Sequence, residues 1–239
     1  MSILGLLFVS IAAIAGFWLV RQGILRSPWL EEGELVDHPG FFGRDLSRPP
    51  ASKVGLGVFL AVATCLFLLM TAAFFMRMES PDWQAPPAPA VLWFSTAALV
   101  ASSVALQMAQ FAVRQSDIAR ARTALTIGGA CAVLFLIGQL WAWRELIALG
   151  FYASSNPANA FFFLLTGAHG LHLVGGLVAL ARTILESASW EKAKAATLAT
   201  SVELCVIYWH FLLLIWLLLF AMMTGWANNL GVLCRRLLS

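Results

Sequence analysis

Six uninterrupted apolar stretches govern what this chain can fold into. They lie near Ile3–Val20, Val54–Phe75, Ala90–Phe111, Leu125–Trp143, Ala158–Ala181 and Val202–Gly225. Each is long enough to cross a hydrocarbon core of about 30 Å, which takes roughly 20 helical residues at about 1.5 Å apiece. Unbroken apolar runs fit helices, because the strands of a membrane barrel alternate polar and apolar positions. Trp18, Trp93, Trp143 and Trp226 stand close to run ends, where an amphipathic ring prefers to sit. The expected fold is all-α: a polytopic transmembrane bundle of six helices.

Composition closes off the other classes. Of 239 residues, 61% are hydrophobic and 11% charged, against about 45–50% and about 25% in a soluble domain. One core of this size cannot bury the excess, so a soluble enzyme and a disordered chain are set aside. The net charge of +3 does not point to nucleic acid, because basic loops on a membrane protein report orientation first. The loops after the first, third and fifth stretches hold eleven of the fifteen Lys and Arg residues, and the opposite face holds four. That asymmetry places both termini outside and the basic loops in the cytoplasm. The first stretch has no basic segment before it and Arg21 and Arg26 after it, so it is expected to be a retained helix and not a cleaved signal.

The connection Arg21–Lys53 carries Glu31, Glu32, Glu34, Asp37, His38 and the turn signal Arg48-Pro49-Pro50. Mixed charge and proline fit an ordered strap or a solvated linker equally well. Cys65, Cys131, Cys205 and Cys234 show no C-x-x-C spacing, which fits small hydrophobes in helices and neither a zinc site nor a redox dithiol.

Polar residues inside a bilayer are costly, so each needs an account. The fifth stretch holds His169 and His172, and the sixth holds Glu203 and His210. Spacings of three and seven put each pair on one helix face. Gln139 lies in the fourth stretch, and Gln107 and Gln110 in the third. Three readings stay open for the His and Glu set. They could form a hydrogen-bonded cluster fixing two helices together, with the glycines at 167, 170, 175 and 176 allowing close approach. They could ligate a metal or haem, although a di-iron centre needs more carboxylates. They could handle a proton, since imidazole titrates near neutrality. No G-x-S-x-G elbow, phosphate-binding G-x-x-x-x-G-K-[ST] loop or H-E-x-x-H helix is present, which leaves a membrane protease or ATPase without support.

Two motifs resemble those of subunit III of the haem–copper terminal oxidases. The run Phe161-Phe162-Phe163-Leu164-Leu165-Thr166-Gly167-Ala168-His169-Gly170-Leu171-His172, followed by Gly175-Gly176, is similar to that family's phenylalanine-rich lead into T-G-x-H-G-x-H. Glu203, five residues before Tyr208-Trp209-His210-Phe211 and with Trp216 beyond, is similar to its E-x-x-x-x-Y-W-H-F…W signature. Ser102-Ser103 and Gly138-Gln139…Trp143 add weaker support. The resemblance covers roughly residues 50–226.

It implies a five-helix core over residues 50–239, with residues 1–49 adding one helix and a cytoplasmic loop. It also implies a subunit with no active site of its own, in a prokaryotic inner membrane, within a complex that reduces oxygen and moves protons. Haem and copper would belong to partner subunits I and II, small subunits could join them, and this chain would hold no cofactor beyond bound phospholipid. His169, His172, Glu203, His210 and Gln139 would form an internal polar brace. The sequence departs from the family where residues 59–64 hold no acid, and where Leu213 and Ala142 stand for customary acids. Alternatives are an accessory subunit of a nitric oxide reductase system, or a membrane haem protein with ligands on the fifth and sixth stretches.

Overall fold

The computed structural model describes residues 51–78, 80–188 and 195–224. Among them are five helices and no strand: α1 (Ala51–Met78), α2 (Val91–Arg114), α3 (Ile118–Ala148), α4 (Pro157–Ala188) and α5 (Ala195–Met223). All five are long and apolar enough to cross a membrane. They correspond to the second to sixth apolar stretches. The sixth expected helix, Ile3–Val20, lies outside the described residues, as does the loop up to Pro50.

The surface is what a lipid-facing protein requires. Phe94, Met76, Leu171, Leu69 and Trp141 are each exposed by 65% or more, an apolar cover far beyond the patches a water-soluble monomer tolerates. Helix ends overrun the apolar stretches because capping, not hydropathy, sets them. α3 starts at Ile118, well before Leu125, because Asp117 accepts a hydrogen bond from the Arg120 backbone N–H. Such a cap satisfies an amide that the first turn leaves open.

The turn from α2 to α3 takes three residues. The amide of Ser116 donates to the Val113 carbonyl and that of Asp117 to the Ala112 carbonyl, a Schellman ending with Ser116 left-handed at φ 61°. α3 ends in the same way, with Gly150 at φ 87°. Glycine takes that conformation without the Cβ clash that a serine meets. Short turns make consecutive helices antiparallel.

The chain divides into two compact units between Leu68 and Leu69, inside α1. In the first, Leu60, Ala63 and Phe67 form one buried side of the helix. The second contains the rest of α1 and α2 to α5. There α2 packs on α3 and α5, and α4 packs on the same two helices, so the four close a ring. α3 faces the ring with Gly128, Ala132, Phe135, Gln139, Ala142 and Leu146, spaced alternately by four and three as a buried helix seam demands. α5 is the most enclosed span, with half of its apolar window buried. At one end of the bundle Trp83 packs edge-on against Phe74 and beside Phe161, while the Asn156 amide donates to the Gln84 carbonyl.

Close approach depends on small residues. A Cβ added at Gly128 would collide with the Leu106 side chain and crowd the Ser102 carbonyl. Gly128→Val is therefore expected to push α2 from α3 and to cost about 1–3 kcal/mol, as overpacking does. Denaturant unfolding in detergent, compared with the unchanged chain, checks this.

Candidate functional site

Three indole N–H groups organise the interior of the ring. Trp209, fully buried on α5, donates to the Ser102 hydroxyl on α2 at 2.7 Å. Ser102 in turn donates to the Gly128 carbonyl on α3, also at 2.7 Å. One buried hydroxyl thus ties three helices. A turn or two along, Trp216 of α5 donates to Thr96 of α2 at 2.9 Å. Across the ring, Trp143 of α3 donates to Thr166 of α4 at 3.0 Å, and Thr166 donates to its own helix at the Phe162 carbonyl. Indole can only donate, and hydrocarbon offers it no water. Each bond therefore satisfies a group that lipid would leave open.

The histidines of the motifs part company. His169 is fully buried, its ring edge-on to Phe135 of α3 at 5.6 Å and tilted over Trp216 of α5 at 5.2 Å. Phe135 and Trp216 meet edge-on at 4.7 Å. The three rings form the hub where α3, α4 and α5 converge, in the offset and T-shaped arrangements aromatic groups favour. His172 is half-buried; its Nδ1–H donates to the Ala168 carbonyl at 2.8 Å, and its own carbonyl accepts the Tyr208 hydroxyl at 2.7 Å. That last bond fastens α5 to α4 where Gly176 leaves room for the Tyr208 and Trp209 rings.

Glu203 is half-buried near the start of α5. His210 faces outward from the same helix, and its Nδ1–H donates to the Val206 carbonyl one turn back at 2.8 Å. The internal brace expected of these residues thus has His169 and Gln139 inside, while His210 stands on the outer face. The reason is angular. Trp209 and His210 are adjacent in sequence, and neighbours on a helix lie about 100° apart, so when the indole points inward the imidazole points out.

Gln139 is buried on the α3 seam between Phe135 and Trp143, opposite the α4 segment that carries Thr166 and His169. Its carboxamide oxygen and nitrogen are both shielded and hydrogen-bond to no described residue. Gln107 and Gln110 instead bond to each other, 3.2 Å apart on α2. Among the described residues no three of His, Cys, Asp and Glu gather as metal ligands do.

Sequence reasoning named the histidines and passed over the indole–hydroxyl pairs. A signal was present: Trp209 and Trp216 sit in the middle of an apolar stretch and not at its end, and Thr96, Ser102 and Thr166 interrupt others. A mid-membrane Trp calls for a Ser or Thr in the same bundle, because the indole N–H alone would be unsatisfied, whereas the hydroxyl can donate to its own helix and still accept.

The architecture defines a class: a multi-pass helical membrane protein whose interior is given over to joining helix to helix. The family model for cytochrome c oxidase subunit III matches residues 50–228. The chain is 31% identical over 180 residues to a probable cytochrome c oxidase subunit 3 of Mycobacterium tuberculosis, covering 73% of this chain and 88% of that protein. A probable subunit 3 of Nocardia farcinica is 31% identical over 181 residues, covering 74% and 88%. The cytochrome c oxidase subunit 3 of Synechocystis sp. is 29% identical over 197 residues, covering 79% and 78%. The chain belongs to the cytochrome c oxidase subunit III family, and its matched segment contains every bond of the ring described above.

The two kinds of buried polar group give opposite expectations. Thr166→Val leaves the Trp143 N–H without its acceptor and is expected to cost about 1–3 kcal/mol. Gln139→Leu removes a buried amide that hydrogen-bonds to no described residue, and is expected to be neutral or stabilising. Thermal unfolding of both variants in one detergent separates them.

Proposed function

We propose that this chain is the non-catalytic subunit III of a haem–copper oxidase in aerobic respiration. In this reading it braces the catalytic subunit, sustains proton uptake and supports oxygen access to a site that lies elsewhere in the complex. Haem and copper belong to subunits I and II, and bound phospholipid occupies grooves between helices. The observation that carries the reading is the family match across residues 50–228, together with the buried hydrogen bonds that join helix to helix in the interior. A chain of this kind offers a rigid wall, and a rigid wall is what a neighbouring subunit needs to keep its own proton-uptake surface in shape.

The membrane proposed is a prokaryotic cytoplasmic membrane, in keeping with the bacterial relatives. Both termini lie outside, in keeping with the Lys and Arg excess in the alternate loops.

Affinity isolation of the tagged chain in mild detergent tests this directly. A larger haem- and copper-bearing subunit is expected to co-isolate, with a reduced-minus-oxidised spectrum belonging to that partner. A single polypeptide carrying haem of its own contradicts the reading. A complex isolated without this chain is expected to keep its haem content while its turnover decays faster than that of the intact complex.

A further inference from the structure

We propose that the outward stripe of α5 is the face on which a transmembrane helix of a partner oxidase subunit docks, presenting a hydrogen-bond donor to His210. The proposal rests on the subunit reading above and identifies where the contact is made. The stripe runs Glu203, Ile207, His210, Leu214, Leu217 and Ala221, alternating steps of four and three that keep all six on one side of the helix. Leu214 and Leu217 are exposed, and so is His210. The opposite side of α5, with Val202, Trp209, Leu212, Trp216 and Leu219, is fully buried in the ring. The stripe is what remains of the most enclosed helix.

Depth rules out lipid as the natural cover. His210 stands twelve residues from the start of the span Leu198–Met223 and thirteen from its end. At about 1.5 Å per residue it is roughly 18 Å from either end of the span, which puts it near the middle of a hydrocarbon core of about 30 Å, beyond the reach of an imidazole toward the headgroups. An exposed ionisable ring at that depth is costly unless protein or a water-filled space receives it. The ring's own hydrogen bond fixes what the partner must offer. A carbonyl can only accept, so the bond to Val206 places the proton on Nδ1 and leaves Nε2 as an acceptor in the neutral ring. The partner helix therefore carries a hydroxyl, amide, indole or cationic side chain at mid-membrane, flanked by small or apolar residues that fit between Ile207 and Leu214. Acceptor-only groups such as a carboxylate do not fit the neutral ring.

A photoreactive benzoylphenylalanine placed at Leu214, in the complex isolated from membranes, tests the face. The same group at Leu171, 73% exposed on α4, serves as the comparison. Irradiation is expected to join Leu214 to a different polypeptide of the complex. Lipid adducts alone at Leu214, or adducts to a second copy of this chain, in a complex that stays intact overturn the proposal and leave the subunit reading standing. A chain that isolates alone overturns both. The hydrogen bond is tested by detergent titration of the complex. His210→Leu is expected to weaken retention of this chain roughly tenfold, equivalent to about 1.4 kcal/mol, and His210→Gln, which keeps an acceptor, to restore most of it. Equal retention of all three forms shows that no donor meets Nε2.

Discussion

The bond from Trp209 to Ser102, and onward from Ser102 to the Gly128 carbonyl, is the constraint around which the ring of α2 to α5 is arranged. In water an indole that loses its partner finds another. In hydrocarbon it does not, and helices gain nothing from the hydrophobic effect by leaving lipid for one another. Association must come from close packing and from bonds that lipid cannot supply. The Ser102 hydroxyl supplies both: it is small enough for α2 to approach α3 at Gly128, and it joins a donor on one side to an acceptor on the other. Trp216 with Thr96 and Trp143 with Thr166 repeat the device on neighbouring helix pairs.

Once the ring is set, the fate of the other polar groups follows from helix geometry. Fixing Trp209 inward turns His210 out, and it brings Trp216 beside Phe135 and His169 at the hub. The Tyr208 hydroxyl then reaches the backbone of α4 at His172. The two motifs that mark the family thus meet where His169 lies beside Trp216 and where Tyr208 reaches His172, while His210 turns away from both contacts. The T-G-x-H-G-x-H run supplies His169 to the buried aromatic hub, and the Y-W-H-F run supplies an inward anchor and an outward imidazole from adjacent positions.

Much of the fold was legible in the sequence because hydrocarbon thickness translates directly into run length. Five of the six stretches coincide with helices α1 to α5; the first lies outside the described residues. Helix ends were less legible, since the Asp117 cap and the Ser116 and Gly150 turns are decided by local hydrogen bonds to which hydropathy is blind. Within the site, spacing showed that His169 and His172, or Glu203 and His210, share a face. It could not show which face is inside, because that depends on what the neighbouring helices present. The seven-residue spacing of Trp209 and Trp216 carried that information, and read with the interrupting Thr96 and Ser102 it points α5 inward along the indole side.

A double-mutant cycle between Ser102→Ala and Trp209→Phe, followed by reversible unfolding in detergent, tests the central claim most directly. If the indole–hydroxyl bond organises the ring, the two substitutions couple by about 0.6 kcal/mol or more, the average for hydrogen bonds between transmembrane helices, whose maximum is about 1.7 kcal/mol. Strictly additive losses would contradict the account, and would mean that the Trp209–Ser102 bond does not hold α2, α3 and α5 together.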